Sequence, residues 1–169
     1  MTDGIDIRAL QTGDGAAVLA LLRQVAAVPG SGLAREPDEF SVAYADAVIT
    51  RAQSGVALGA FDGDALLGVV HCVRMEPRQF AHVMTDLTVA VSPLAQGRGV
   101  GSRLFAALFD AIAAEHPGVN RLELVSRSGN EAAIRLYARL GFVEEGRFAE
   151  RVVLADGTVE DDIPMAKRL

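Results

Sequence analysis

In the middle of the chain, apolar residues recur at every second position. This pattern constrains the fold more than any other sequence feature. Apolar and polar residues alternate through three consecutive segments, residues 56–61, 65–75 and 80–91. Such alternation is typical of strands with one buried face. The segments are separated by Asp62-Gly63-Asp64 and by residues 76–79, which predict tight turns. The sequence therefore predicts an antiparallel meander of three strands.

Helical spacing appears on both sides of the meander. Apolar residues recur at steps of three and four in residues 16–28, 37–52, 102–115 and 130–140. Gly141 follows the last of these segments and is predicted to be its C-terminal cap. The early helical region is of a kind that commonly covers a substrate site in α/β enzymes.

The remaining strands complete the predicted fold. They are residues 5–10, 121–125, 142–154 in two stretches (142–146 and 148–154), and 158–165. The predicted order is β-α-α-β-β-β-α-β-α-β-β, with a right-handed parallel crossover between residues 83 and 125. We expect residues 1–169 to form a single mixed α/β (α+β) domain, whose mostly antiparallel sheet is flanked by helices.

Composition excludes several classes of function. The net charge of −6 argues against non-specific nucleic-acid binding, which needs a basic surface. No apolar run reaches the length of about 20 residues that crosses a bilayer, and residues 1–8 lack the apolar core of a signal peptide. The single cysteine, Cys72, favours a buried small hydrophobe and no metal site. We expect a cytoplasmic monomer or homodimer that binds neither nucleic acid nor membrane.

The strongest local motif is glycine-rich and lies between a predicted strand and a predicted helix. It is Gln96-Gly97-Arg98-Gly99-Val100-Gly101. Glycines let successive backbone N–H groups converge on an anion, and the helix start adds a partial positive charge. Arg98 and Arg103 are candidates for additional charge at its rim. The motif predicts a pyrophosphate-binding loop.

Two other phosphate-binding motifs share this composition. A P-loop requires Gly-Lys followed by Ser or Thr, and no Lys occurs in the motif. A dinucleotide fingerprint requires a third glycine where Ser102 stands, although Glu123 follows at a tolerable distance. The antiparallel meander before the loop also disfavours the dinucleotide fold.

A second motif follows about thirty residues later, and the pair resembles a known family. Gln96-x-x-Gly99-x-Gly101 follows Val89-Ala90-Val91-Ser92-Pro93, and residues 130–137 lead into Leu140-Gly141-Phe142. Together they resemble the two motifs of the GNAT superfamily of acetyl-CoA-dependent N-acetyltransferases. The resemblance is strong over residues 66–148 and weaker in the first 55 residues.

The resemblance implies acetyl-CoA as acyl donor and a definite set of contacts. It assigns the pantetheine arm to Val89, Ala90 and Val91, and a further contact to Asn130. It assigns Tyr137 to the cofactor site and to the role of general acid near the sulfur. The pyrophosphate is assigned to the loop and the helix start: Gln96, Gly97, Arg98, Gly99, Val100, Gly101 and Ser102. The implied reaction is direct attack of a primary amine, carried by a small molecule, amino acid, polyamine or protein N-terminus, within a ternary complex.

The general base is not identified by the resemblance. Some family members carry a glutamate on the strand before the second motif, and that position is Val125 here. Asp86 is the first candidate, because it is expected to be buried in the middle of a strand, where a carboxylate needs a partner or a task. Strand alternation predicts that His82, Met84, Asp86 and Thr88 share a face. His82, His71 and Glu123 are the other candidates.

Two alternatives and one ambiguity remain at this level. A non-catalytic acyl-CoA-binding or regulatory domain would keep the glycine loop without a productive base, and a nicotinamide-dependent enzyme is a third option. The acidic run Glu160-Asp161-Asp162 suits either a cationic substrate or a solvated hairpin.

Overall fold

The computed structural model describes residues 4–169, and this part of the chain holds eight strands and four α-helices. The strands are β1 (Ile5–Ala9), β2 (Gly55–Asp62), β3 (Ala65–Arg74), β4 (Val83–Val91), β5 (Arg121–Arg127), β6 (Val143–Glu144), β7 (Phe148–Val153) and β8 (Val159–Arg168). The helices are α1 (Gly15–Ala26), α2 (Val42–Thr50), α3 (Val100–Glu115) and α4 (Glu131–Arg139). The mixed α/β class predicted from the sequence is confirmed.

All strands belong to one sheet with the order β1-β2-β3-β4-β5-β8-β6, and β7 also pairs with β8. Strands β4 and β5 pair in parallel across helix α3, as the crossover prediction requires. The other recorded pairs are antiparallel. The meander is therefore confirmed as β2-β3-β4 in the centre of the sheet.

Each face of the sheet buries the apolar stripe of one helix pair. Helices α1 and α2 cover one face, where Leu22 and Val48 pack in the same core as Val69. Helices α3 and α4 cover the other, where Phe105 and Tyr137 share a core with Met84, among others. The helical spacing found in the sequence thus corresponds to buried faces.

Two predicted elements are shorter in the structure than expected. The predicted helix 37–52 contains α2 flanked by 3₁₀ turns at Pro37–Glu39 and Arg51–Gln53. Helix α2 begins after Ser41, whose side chain accepts a hydrogen bond from the backbone N–H of Tyr44. The strand predicted from residue 80 begins at Val83, because Arg78–Phe80 form a 3₁₀ turn.

The predicted strand 142–154 is divided into β6 and β7, which both pair with β8. The division occurs opposite Pro164, whose carbonyl oxygen accepts from the N–H of Glu145. Proline has no N–H to donate in return, so the ladder is interrupted there. Gly141 at φ +93° follows α4, which confirms its predicted role as a helix cap.

Candidate active site

Strands β4 and β5 separate after two paired positions and open the sheet. Their pairing covers Val83↔Arg121 and Met84↔Leu122. Further along, residues 85–89 and 123–126 line a cavity of about 480 Å³, here called the β4–β5 cavity. A second cavity of about 490 Å³, here called the glycine-loop cavity, is lined by Val91, Gln96 and Gly101 among others. The residues that line both cavities are Gly32, Leu33, Val89, Asn130 and Tyr137.

A β-bulge in β4 lies at the β4–β5 cavity. The register with β3 runs from His71↔Thr88 to Val73↔Thr85, so one residue of β3 opposes two of β4. Beyond the bulge, the side chains of β4 at even-numbered positions point to the opposite face of the sheet. Met84 packs in the α3–α4 core, whereas Ala90 packs in the α1–α2 core. The predicted common face of His82, Met84, Asp86 and Thr88 is therefore wrong, because the sequence does not reveal the extra residue.

Asp86 occupies the bulge with φ +54°, a left-handed conformation that Asp adopts more readily than most residues. Its side chain is 56% exposed and forms an ion pair with Arg51. The prediction that Asp86 is buried is wrong, since the bulge turns it out of the core. It nevertheless lines the β4–β5 cavity.

The glycine motif forms the turn into helix α3. Gly97 and Gly99 have φ values of +78° and +72°, and apart from their chain neighbours no atom of residues 4–169 lies within 4 Å of a Cβ built at either. The first helical hydrogen bond runs from the N–H of Arg103 to the carbonyl of Gly99. The N–H groups of residues 100–102 therefore precede the helical ladder and are available to an anion.

The two arginines of this region have protein partners. Arg98 Nη2 lies 2.9 Å from Asp62 Oδ2 in an exposed ion pair. Arg103 Nη2 donates to the carbonyl of Ile5 at 2.8 Å, which directs this side chain toward β1. Any anion at this loop would therefore depend mainly on the backbone N–H groups.

Tyr137 and Asn130 lie where the two cavities meet. Tyr137 is 8% exposed, and its ring packs edge-on against Phe105 and Phe142. Burial raises the pKa of Tyr137 to about 12. Asn130 occupies the N-cap position of α4, but its side chain makes no capping hydrogen bond. A Cβ on Gly32 would lie 2.3 Å from Asn130 Nδ2, so the loop before α2 packs directly on this amide.

An arginine joins two carboxylates on the wall of the β4–β5 cavity. Arg121 donates to Glu123 at 2.7 Å and to Glu145 at 3.0 Å. The hydrogen bonds to Glu145 and Glu123 raise the pKa of Arg121, and the bond from Arg121 lowers the pKa of Glu145. Asp86 and Asp162 line the same cavity, so its carboxylates outnumber its one lining arginine.

The other residues considered from the sequence lie at different places. His71 is fully buried, and burial, reinforced by the charge of Arg51, lowers its pKa to about 4. His82 lines a separate cavity with Asn120 and Arg168. Val125 is half exposed and lines the β4–β5 cavity. Cys72 is buried, and burial raises the pKa of its thiol to about 12.

The acidic run at 160–162 is engaged in ion pairs. Asp161 and Asp162 lie 2.7 Å and 3.7 Å from guanidinium nitrogens of Arg147 and Arg151. Glu160 pairs with Arg127 at 2.9 Å, and both side chains are almost buried. Sequence reasoning did not identify Arg121, Glu145 or Arg127, because no local pattern marks residues that meet only through sheet pairing.

Within residues 4–169, no group of three or more His, Cys, Asp or Glu side chains is arranged to hold a metal ion. The four helices of this same region include none with the length and hydropathy needed to cross a membrane.

Comparison with known proteins identifies relatives in sequence and in structure. The model of the acetyltransferase (GNAT) family matches residues 23–142. A phosphinothricin N-acetyltransferase from Streptomyces coelicolor is 46% identical over 77 residues, which are 46% of this chain and 43% of the relative. The matched regions of the curated relatives are 43–44% of their lengths, so this chain spans less than half of each.

Solved structures of acetyltransferases share the fold. A GNAT-family acetyltransferase from Streptococcus pneumoniae superposes with a TM-score of 0.87 at 23% identity, covering 98% of this chain and 99% of the other. A GNAT phosphinothricin acetyltransferase from Sinorhizobium meliloti, solved in complex with AcCoA, gives a TM-score of 0.83 at 20% identity, covering 98% and 89%.

Proposed function

The chain belongs to the acetyltransferase (GNAT) family, and we propose that it transfers the acetyl group of acetyl-CoA to a primary amine. The observation that carries this proposal is the pair of cavities that meet at Tyr137 and Asn130. One cavity ends at an anion-binding glycine loop and the other is rich in carboxylates. A donor with a pyrophosphate and an acceptor with an ammonium group match this arrangement.

We place the donor along β4 and the glycine loop. The separation of β4 from β5 leaves an edge of residues 85–91 that can hydrogen-bond the amides of the pantetheine arm, as a neighbouring strand would. The available backbone N–H groups of residues 100–102 donate to the pyrophosphate, whereas that of Arg98 is directed to the carbonyl of Ala95. Asn130, whose side chain is not used as a helix cap, contacts the arm near the meeting point of the cavities.

Attack of the amine on the thioester develops negative charge on the carbonyl oxygen and then on sulfur. Backbone N–H groups at the edge of β4 stabilise the first charge. Tyr137 is placed near the sulfur, where the second negative charge develops. Its pKa of about 12 lies above the value of about 8.5 for a thiol, so complete proton transfer to the thiolate is uphill by about 5 kcal/mol. We therefore assign Tyr137 the role of a hydrogen-bond donor to the departing sulfur.

The acceptor occupies the β4–β5 cavity. Asp86, Glu123, Glu145 and Asp162 line it, whereas Arg121 is its only lining arginine within residues 4–169. Arg51 and Arg151 pair with Asp86 and Asp162, so the four carboxylates face three guanidinium groups. The remaining negative charge favours a cationic amine over an acceptor with several negative groups.

Asp86 remains our first candidate for the base or for the anchor of the ammonium group. It has one recorded ion-pair partner, Arg51, and an exposed carboxylate. Glu123 is the second candidate, since its carboxylate lines the cavity but is already bonded to Arg121 at 2.7 Å.

An amine panel tests the proposal. Acetyl-CoA turnover is followed by thiol release with polyamines, amino acids, small amines and peptides with a free N-terminus. We expect turnover with cationic amines and saturation in both substrates. Tight CoA binding without turnover across the whole panel would favour the non-catalytic acyl-CoA-binding domain. Binding of a nicotinamide cofactor in place of CoA would favour a nicotinamide-dependent enzyme.

A further inference from the structure

The connection between α1 and α2, residues 27–41 and here called the α1–α2 loop, covers the place where the two cavities meet. Gly32 and Leu33 line both cavities. Gly32 is so close to Asn130 that a Cβ would lie 2.3 Å from Nδ2. The position of this loop therefore sets the width of the passage between the donor and the acceptor.

Arg127, at the end of β5, holds the loop from behind. Its Nη2 donates to the backbone carbonyl oxygens of Gly30 at 2.5 Å and Ser31 at 2.9 Å, and its Nε donates to Ser31 at 3.3 Å. Arg127 lines a different cavity, which also contains Pro29 and Asp156. It acts on the loop backbone and not on the proposed substrates.

Glu160 on β8 fixes the orientation of Arg127. Its two carboxylate oxygens accept from Arg127 Nη1 at 3.0 and 2.9 Å. One of them also accepts from the N–H of Gly129 at 3.0 Å, in the turn that leads to Asn130. The side chains of Arg127 and Glu160 are 10% and 13% exposed. A buried pair with so many directed hydrogen bonds specifies geometry, whatever its net contribution to stability.

We infer that Arg127 and Glu160 are positioning residues that hold the α1–α2 loop against Asn130 and thereby determine the Michaelis constant for the acceptor. This inference rests on the proposed acetyl transfer. Release of the loop lowers the fraction of molecules whose acceptor side is formed, and the apparent affinity falls by that fraction. Gly30 and Ser31 line the glycine-loop cavity, but the N–H groups of residues 100–102 that we assign to the pyrophosphate belong to other elements, so the pyrophosphate keeps its main contacts.

Arg127→Lys tests the inference, because it keeps the charge beside Glu160 and removes the planar fork that reaches two carbonyls. We expect KM for the amine to rise about tenfold, which corresponds to a loop formed in about a tenth of the molecules. Turnover number and the Kd for CoA should each change by less than about threefold. Arg135→Lys, in the exposed pair with Glu131, is the matched control and should leave KM unchanged.

Hydrogen exchange at residues 28–34 gives a readout that does not need turnover. We expect faster exchange there in Arg127→Lys than in the wild type or the Arg135→Lys control. Gly32→Ala reaches the same loop while leaving Arg127 unchanged, and it should also raise KM, which keeps the test available if Arg127→Lys does not fold.

Unchanged KM together with unchanged exchange in Arg127→Lys would overturn the inference. An equal loss in turnover number, acceptor KM and CoA affinity would also overturn it, because that pattern indicates a general loss of structure. Absence of turnover in the wild type would contradict the proposed function alone, since exchange at residues 28–34 would still report whether Arg127 holds the loop.

Discussion

The two ends of the site are built in different ways. The glycine loop comes from one continuous stretch, residues 96–101, and we propose that it binds the pyrophosphate through backbone N–H groups at the start of α3. The β4–β5 cavity combines residues 32–34, 85–89 and 123–126 with Arg121, Glu145 and Asp162. One end therefore depends on backbone conformation, and the other depends on side chains carried by distant strands. The two ends should therefore respond differently to substitution.

The largest effect is expected at the glycine loop. Gly99→Asp places a carboxylate opposite the pyrophosphate at a residue with φ +72°. Repulsion between like charges costs several kcal/mol, so CoA affinity should fall at least about a hundredfold. Titration calorimetry on the folded variant measures this. Gly157→Asp is the matched control, because Gly157 has φ +85°, lies in the turn before β8 and also has open space around its Cβ. Undiminished CoA affinity in Gly99→Asp would falsify the assignment of this loop.

Gly101→Asp extends the same test into the first turn of α3. Its Cβ would lie 3.9 Å from Val91, in ordinary contact, so the substitution introduces charge without a clash. CoA binding should again be lost. Loss in both variants, with retention in the Gly157→Asp control, separates the effect of the ligand from the backbone cost of a positive φ.

The second-largest effect is expected at Tyr137, where the two cavities meet. Tyr137→Phe removes one hydroxyl and keeps the ring packed against Phe105 and Phe142. Turnover number should fall by about 10²–10³, the usual range for losing a hydrogen-bond donor to a developing negative charge, whereas CoA affinity should persist. Steady-state and single-turnover kinetics measure this, with Tyr44→Phe on α2 as the control.

The pH profile sharpens the role of Tyr137. Because its pKa is about 12, the hydroxyl stays protonated at neutral and moderately alkaline pH. The wild-type rate should show no loss from its ionisation until the pH approaches that value. A decrease of less than threefold in Tyr137→Phe, with chemistry limiting the rate, would remove this residue from the mechanism.

The sequence predicted the glycine-loop end much more completely than the acceptor end. The loop and the helix that follows are adjacent in the chain, and their glycines signal unusual backbone conformations. The bulge at Asp86 has no comparable signal, because Asp in a regular strand and Asp in a bulge look alike in the sequence. Arg121 and Glu123 are neighbours on β5, but Glu145, just after β6, meets them only through the pairing of β5 and β6 with β8. Such contacts depend on register, which the pattern of apolar residues does not resolve beside a proline or a bulge.

A smaller effect is expected at Asp86. Asn tolerates a left-handed conformation, so Asp86→Asn removes the charge without disturbing the bulge. The exposed pair with Arg51 contributes at most about 1 kcal/mol, so thermal stability should change little. If Asp86 anchors the ammonium group, Asp86→Asn should raise the acceptor KM about tenfold. If Asp86 is the base, Asp86→Asn should lower the turnover number and remove the acid limb of the pH profile.

Glu123→Gln provides the comparison for Asp86→Asn. It preserves the shape of the side chain and weakens the bond to Arg121. If Asp86→Asn has wild-type kinetics and Glu123→Gln loses the acid limb, the base is Glu123. If neither variant changes the kinetics, deprotonation of the amine occurs in solvent before binding.

The smallest effect on activity is expected at His71, directly behind the acceptor end. His71 opposes Thr88 across β3 and β4, and neither of its ring nitrogens has a hydrogen-bond partner within residues 4–169. It alternates with Val69, which packs in the α1–α2 core, so its ring points to that face and away from α3. His71→Leu should therefore leave turnover number and acceptor KM within about twofold at neutral pH, as for a substitution outside the site.

By contrast, His71 should affect how the stability of the protein depends on pH. Its pKa falls from 6.5 to about 4 on folding, because burial disfavours the charged ring. Between these values the unfolded chain binds more protons than the folded one, so stability declines as the pH falls through this window, by at most about 3 kcal/mol. Denaturant unfolding at pH 7.5 and 4.5 should show this loss in the wild type and a smaller loss in His71→Leu. An equal loss in both proteins would place the acid sensitivity in other groups. A shifted acid limb of turnover in His71→Leu would instead bring this residue into the chemistry of the acceptor end.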